Sequence, residues 1–262
     1  MPSEKSTTLI TGGSIGIGLE LAKQFAAHGH DLILVARNRD ALEAAAGMLE
    51  GKYGVKVATF SFDLADSGSP RKLFDAVLAE GLHVDILVNN AGFGSGGEFV
   101  ETDIERELDM IQVNVAALVH LTKLFLQPMV LRRSGRILNV ASTAAFQPGP
   151  LHSIYFATKA FVLSFSQAID EELRNTGVSV TCLCPGATAS EFAERAGLGD
   201  TRLYKLTGVA SAEDVASYGY SATMRGERVA LPGMKNKAHV QALRLLPRSL
   251  VTMLARKVQE NR

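Results

Sequence analysis

The stretch Thr7-Thr8-Leu9-Ile10-Thr11-Gly12-Gly13-Ser14-Ile15-Gly16-Ile17-Gly18 decides the fold. A short β-rich run ends in a glycine turn of the spacing Gly12-x-x-x-Gly16-x-Gly18, and a helical pattern, IGLELAKQFAAHG, begins at once. Glycines let a backbone turn sharply and approach a pyrophosphate, whose charge then rests on the helix N-terminus. An isolated turn of this kind is also compatible with an ordinary tight bend. Its place in the first strand–helix unit favours the ligand-binding reading, because doubly wound sheets bind at the carboxyl ends of their strands. No Gly-Lys-Ser/Thr follows, which argues against a P-loop nucleotidase.

Outward from this turn, strand-like and helix-like segments alternate. TTLITG, DLILVAR, VKVATFSF, HVDILVNNAG, GRILNVAS, VSVTCLCPG and RVALPG read as strands, several as the continuous apolar runs of a parallel sheet covered on both faces. Between them lie helical patterns over 17–29, 38–54 and 69–81, then longer ones over 102–127 and 152–177. Several of these end at glycine (Gly29, Gly54, Gly81, Gly177), suited to a left-handed cap. The expected architecture is an α/β Rossmann-type doubly wound parallel sheet of about seven strands, order 3-2-1-4-5-6-7, with helices on both faces. No repeat or linker divides the chain, so residues 1–262 are expected to form a single domain. Residues 187–210 are expected as a lid over a substrate, and 234–262 as a basic amphipathic tail.

Composition narrows the function. The 262 residues carry 27 Lys+Arg against 27 Asp+Glu, and 47% are hydrophobic. That balance offers no global attraction to nucleic acid, and the apolar share is that of a chain with a sizeable core. No stretch approaches 18 uninterrupted apolar residues and no signal-peptide pattern opens the sequence, so the cytoplasm is the expected compartment. Cys182 and Cys184 fall on one face of a strand. They read as small buried hydrophobes of a reducing compartment. The histidines, His120 and His152 among them, lack partners at ligand spacing, and no metal is expected.

The second strand ends Val35-Ala36-Arg37-Asn38-Arg39. An NAD enzyme would place a carboxylate there for the adenosine ribose hydroxyls. Ala36 offers no acceptor, whereas the Arg37 guanidinium suits a 2′-phosphate, so NADP(H) is expected. The bland alternative is a pair of solvated arginines at the sheet edge. Further on, Tyr155 and Lys159 stand four apart on a helix, one turn above each other. A tyrosine, with a reference pKa of about 10, needs an adjacent cation to move a proton near neutral pH. Ser142 ends the preceding strand, at the carboxyl edge beside that helix.

With these residues in view, the chain resembles the short-chain dehydrogenases/reductases, and the match runs over nearly its whole length. Thr11-Gly12-x-x-x-Gly16-Ile17-Gly18 corresponds to the family's glycine motif, in which Ser14 and Ile15 also lie. Asp63-Leu64 corresponds to its adenine-binding acid, and Asn89-Asn90-Ala91-Gly92 to its stabilising motif beside the cofactor. Asn114, Ser142, Tyr155 and Lys159 match the catalytic tetrad; Pro185-Gly186, with Thr188 just beyond, matches the segment beside the nicotinamide. Phe156-Ala157-Thr158 and Ser190 depart from the usual pattern without removing a catalytic group. The resemblance implies hydride transfer to a carbonyl carbon while Tyr155 protonates the oxygen and Ser142 fixes it. Lys159 would hold the nicotinamide ribose, and Asn114 would bind a water leading from Lys159 to solvent. A fold relative that only senses or scaffolds a nicotinamide is the rival reading, although such proteins usually lose the Tyr or the Lys.

The substrate pocket is expected between Phe93–Gly97, Thr143–Phe146, Pro148–His152, Ala187 and the lid. Phe93, Phe146, Leu151, Phe192 and Tyr204 would make it largely apolar, with no converging basic residues. That suits a small hydrophobic ketone, an aldehyde or a 3-oxoacyl chain, and the pattern is similar to the 3-oxoacyl and hydroxysteroid reductase branch. The two long helices, through Val115, Ala116, Leu118, Val119, Phe161, Leu163 and Phe165, are expected to pair into a homodimer or homotetramer. In the tail, Val240, Leu243, Leu246, Leu250, Val251 and Leu254 recur around Pro247, with Arg244, Arg248, Arg256 and Lys257 between them. This stripe either covers the pocket or a subunit interface, or lies on an anionic membrane. Pro247 and the narrowness of the stripe favour the covering role.

Overall fold

Strands buried on both faces make the centre of the molecule. The computed structural model describes residues 5–189 and 209–259. Seven parallel strands form one sheet in the order β3-β2-β1-β4-β5-β6-β9, which is the expected winding with β9 as the seventh strand. These are β1 (Thr7–Thr11), β2 (Asp31–Ala36), β3 (Val57–Ser61), β4 (Ile86–Asn89), β5 (Gly135–Val140), β6 (Val178–Leu183) and β9 (Val229–Ala230). Leu9 lies opposite Ile33 of β2 and Leu87 of β4. Alternate residues then serve opposite cores. Leu9, Ile33, Leu87, Ile137 and Val180 face one helical layer; Ile10, Leu32, Leu34, Val88 and Leu138 face the other. This is why the strands read as unbroken apolar runs. The chain reverses its direction of winding between β1 and β4, so Thr11 and Asn89 border the crevice at the carboxyl edge.

The first layer contains α1 (Gly16–Ala27), α2 (Arg39–Tyr53) and α7 (Ala212–Arg225), a helix outside the sequence-derived set. It is capped by Ser211, whose Oγ accepts from the Asp214 amide at 2.9 Å. The second layer holds α3 (Ser69–Ala79) and the long helix expected over 102–127. That helix is not uniform. It comprises α4 (Ile104–Ile111), a π-helical turn over Gln112–Ala117 and α5 (Leu118–Arg132). It also continues past Pro128, because burying Phe125 and Met129 on the sheet offsets the hydrogen bond that proline cannot donate. By length and composition Ile104–Arg132 could cross a membrane, with mean hydropathy 1.3 in its most apolar window. Here Leu118, Leu121, Phe125 and Met129 are buried in the fold.

The helix α6 (Ser153–Glu172) follows a 3-10 turn over Thr143–Phe146. Of the expected lid, Thr188–Ala189 (β7) and Ala210–Ser211 (β8) pair as a small parallel ladder; Ser190, Phe192 and Tyr204 lie outside the described residues. The tail forms two helices, α8 (Met234–Leu245) and α9 (Arg248–Gln259), with the break at Pro247.

Candidate active site

The glycine turn is held by polar groups from two neighbouring strands. Thr11 Oγ1 donates to the Val88 carbonyl at 3.3 Å and accepts from the Asn90 and Ala91 amides, each at 3.0 Å. Asn90 Nδ2 donates back to the carbonyls of Thr11 (3.0 Å) and Gly12 (3.2 Å). Gly12 has φ +65°, and a Cβ on Gly18 would lie 2.1 Å from the Gly12 carbonyl oxygen. Both positions therefore require glycine. No side chain caps the N-terminus of α1 at Ile15, so its first amides stay available to an anion.

Gly12, Ile15, Gly18 and Asn90 line one end of a cleft of about 1150 Å³, together with Ser14, Gly16, Ile17, Arg37, Asn38, Asp63, Leu64, Ala91 and Gly92. The Arg37 guanidinium is 72% exposed and stands 3.6 Å from the Asp63 carboxylate. Asn38 caps α2 through its side chain, at 3.0 Å from the Ala41 amide. The adjoining end is lined by Ser142, Tyr155, Lys159, Pro185, Gly186 and Thr188. All the sequence-derived cofactor positions thus border one continuous cleft, and a dinucleotide with a 2′-phosphate fits this donor set.

Tyr155 and Lys159 are buried, 6% and 5% exposed. The Lys159 Nζ donates to the Val140 carbonyl at 2.9 Å and lies 5.8 Å from the centre of the Tyr155 ring. Burial lowers the Lys159 pKa to about 8, partly opposed by Cys182 and Cys184 behind it. Those two sulfurs stand 3.8 Å apart on one side of β6, both as free thiols. Ser142 Oγ accepts from the Ala144 amide (3.1 Å) and donates to the Pro185 carbonyl (3.4 Å), which ties the end of β5 to the segment after β6.

Asn114 sits in the π-helical turn and does not line the cleft. Its Nδ2 donates to the Phe93 carbonyl (2.9 Å) and to Thr158 Oγ1 (3.1 Å), and its Oδ1 accepts from the Phe93 amide (3.1 Å). The side chain is spent on clamping the loop after β4 to α6. A Cβ on Gly92 would come within 2.9 Å of Asn114 Oδ1 and 3.5 Å of Lys159 Nζ, so the clamp closes directly beside the lysine. Asn114 thus stands where the long helix departs from regular α-helical bonding.

A model of the short chain dehydrogenases matches residues 6–200. The chain belongs to the short-chain dehydrogenase family. It is 37% identical over 174 residues to a very-long-chain 3-oxoacyl-CoA reductase of Coprinopsis cinerea, covering 66% of this chain and 51% of that protein. The chain spans about half the length of the curated 3-oxoacyl-CoA reductase from that fungus. Among solved structures, it resembles a short-chain dehydrogenase from Sphingobium yanoikuyae in complex with NADPH, with 34% identity, 91% and 92% coverage and a TM-score of 0.81. The L-sorbose reductase of Gluconobacter frateurii, complexed with NADPH and L-sorbose, is 29% identical over 87% of this chain and 94% of that one, at a TM-score of 0.75.

The substrate end of this short-chain dehydrogenase differs from the apolar pocket expected. Phe93, Gly94, Thr143, Ala144 and Ala187 line the cleft, but Phe146, Pro148 and Leu151 do not. Leu151 has φ +67°, and its carbonyl accepts from the Gly97 amide, which braces the loop after β4. His152, buried and with its pKa lowered by that burial, bonds the Ser95 carbonyl at 3.1 Å, the structural role expected of it. In place of the missing apolar walls stand Asp103, Glu105, Arg106 and Asp109 from the start of α4, with Lys235, Asn236 and His239 from α8. Basic residues do therefore converge on the cleft. They were missed because they come from segments whose contacts are set by tertiary docking. Only the charge at Arg106 and Lys235 could have flagged them.

Proposed function

We propose that the chain is an NADP(H)-dependent reductase that converts a ketone, aldehyde or 3-oxoacyl carbonyl to an alcohol, with Tyr155 as proton donor. The observation that carries this reading is the buried Tyr155–Lys159 pair lining, with Ser142, the same cleft as the uncapped glycine turn and Arg37. The relatives in complex with NADPH, and those named as 3-oxoacyl-CoA reductases, support it.

Backbone amides around Ser14–Gly18 would hold the pyrophosphate, and Arg37 with Asn38 the 2′-phosphate. Asp63 and Leu64 would border the adenine. Asn90, Ala91, Gly92, Pro185, Gly186 and Thr188 would border the nicotinamide half. Bound there, NADPH supplies the hydride. Ser142 hydrogen-bonds the carbonyl oxygen and orients it. Tyr155 gives that oxygen its proton as negative charge develops there. Lys159 places a cation beside the phenol, which favours the phenolate left behind. Asn114 is a positioning residue that fixes the loop of Phe93 against α6, and a water relay would start from Lys159 rather than from the engaged Asn114 side chain.

We further infer that the protein works as a homodimer or homotetramer. Ile104, Leu108 and Ile111 on α4 and Phe161 on α6 are exposed, at spacings that put the first three on one helical face. Leu118 and Leu163, expected at that surface, are instead buried in the fold. The cytoplasm remains our reading of the compartment; two buried thiols that need no disulfide support it.

The test is NADPH consumption across diketones, aromatic aldehydes and 3-oxoacyl thioesters, wild type against Tyr155→Phe. The variant should bind NADPH as the wild type does and lose turnover by about a thousandfold or more. Near wild-type turnover in Tyr155→Phe would remove the proton-donor assignment. No turnover by the wild type with any carbonyl would favour a sensor or scaffold.

A further inference from the structure

The two tail helices have an inner and an outer apolar side, and only the inner one is covered. On α9, Val251, Ala255 and Gln259 are buried. On another side of the same helix, Leu250, Met253 and Leu254 are 37%, 50% and 43% exposed, at the i, i+3, i+4 spacing of one face. Leu245 and Leu246, just before the Pro247 elbow, are 86% and 40% exposed, and Met234 at the start of α8 is 80% exposed. The stripe read from sequence as narrow is therefore two stripes, and covering the cleft uses only part of it.

Charge identifies what suits the outer side. Residues 234–259 contain six Lys/Arg and no Asp/Glu. Among the described residues, Arg256 is paired, with Glu98 at 2.8 Å, whereas Arg244, Arg248 and Lys257 have no ion-pair partner. Exposed leucines flanked by unpaired cations match an anionic lipid surface, where acyl chains take the leucines and headgroup phosphates take the cations. A second copy docking here about a two-fold axis would bring the unpaired Arg244, Arg248 and Lys257 of one copy against the same three of the other.

We propose that α8 and α9 dock on an anionic lipid surface through Leu245, Leu246, Leu250, Met253 and Leu254, with Arg244, Arg248 and Lys257 as the phosphate-facing charges. The geometry gives this docking a use. Lys235, Asn236 and His239 of α8 line the cleft, and Arg256 of α9 ties to Glu98 beside the loop that walls it. A docked tail therefore sets the mouth of the cleft next to the bilayer, where an apolar carbonyl compound would concentrate. The docking itself does not depend on the reaction assigned above.

The test is co-sedimentation of the full-length, NADPH-loaded protein with vesicles of phosphatidylcholine alone, or of an equimolar mixture with phosphatidylglycerol. The wild type should partition onto the anionic vesicles, remain free of the neutral ones and be released by high salt. The variant Arg244→Gln/Arg248→Gln/Lys257→Gln should lose partitioning at least about tenfold and keep its NADPH affinity. Leu250→Ser/Met253→Ser/Leu254→Ser should lose it while keeping the wild-type mass in solution. Failure of the wild type to bind either vesicle, equal binding to both, or undiminished binding of the charge variant overturns the proposal. Loss of oligomeric mass in the leucine variant, with no vesicle binding by the wild type, assigns the face to a second copy instead. If the leucine variant does not fold, the charge variant, altered only at exposed side chains, decides alone.

Discussion

Replacing Lys159 by Met should change the pH dependence of stability in a calculable way. The side chain is 5% exposed, and burial takes its pKa from 10.5 to about 8. At 1.36 kcal/mol per pH unit, that drop corresponds to about 3 kcal/mol. Below about pH 8, folded and unfolded chains both carry the proton, and the folded state bears the full cost of burying the cation. Between about 8 and 10.5 the folded chain releases the proton while the unfolded chain keeps it, so stability rises with pH. Above 10.5 neither carries it and the cost is gone. Met keeps most of the apolar stem and cannot ionise. Its loss of the 2.9 Å bond to the Val140 carbonyl lowers stability by a similar amount at every pH. Denaturant unfolding of the cofactor-free proteins should therefore show the wild type gaining on the order of 2–3 kcal/mol relative to Lys159→Met between about pH 7 and about pH 10. A difference that stays flat across that range would refute the claim that a buried ammonium sits under the cleft.

Arg37→Asp should weaken NADPH binding by about 2 kcal/mol, roughly thirtyfold, and narrow or reverse the preference over NADH in fluorescence titrations. Tighter NADH than NADPH binding by the wild type would contradict the role given to Arg37. Gly18→Ala drives a methyl to 2.1 Å from the Gly12 carbonyl and 2.5 Å from Asn90 Nδ2. It should cost about 2–3 kcal/mol in thermal or denaturant unfolding and abolish tight NADPH binding; an unchanged melting temperature would show that the turn yields. Leu108→Asp, on the exposed face of α4, should lower the mass seen by light scattering at micromolar concentration. A strictly monomeric wild type would refute the interface at its root.

The fold was legible because its signals are local. Parallel strands covered on both faces read as apolar runs, and Gly54, at φ +65°, ends α2 where its sequence position suggested. The placement of the proposed trio in one cleft was equally legible: the spacing of Tyr155 and Lys159 fixes one helical face, and Ser142 follows a strand end. The rim of the cleft was not. Lys235, Asn236 and His239 reach it only because α8 returns to Gly186, where a Cβ would lie 2.7 Å from the Asn236 amide. No neighbouring residue encodes that return. Helix α7 carried a readable cap in Ser211 and Asp214, but the polar stretch before it obscured the start. The π turn had no local signature either, since it depends on Asn114 finding the Phe93 backbone 21 positions away.

A π turn is what an α-helix becomes when it absorbs one extra residue, so Gln112–Ala117 lets the two halves of a long helix keep the phase they would have without it. The half beyond it turns Leu121, Phe125 and Met129 to the sheet; the half before it turns Leu108 and Ile111 outward and sends Arg106 and Asp109 to the cleft. Deleting a single residue in this turn would restore ordinary α-helical bonding, a gain for the helix alone. Because the turn already takes up the surplus residue, α4 and α5 would keep nearly their present phase. The charged rim and the exposed apolar face would stay aligned, and the Asn114 clamp alone would lose its position. The extra residue thus serves the clamp on the loop after β4, and the helix can shed it without turning either of its other faces.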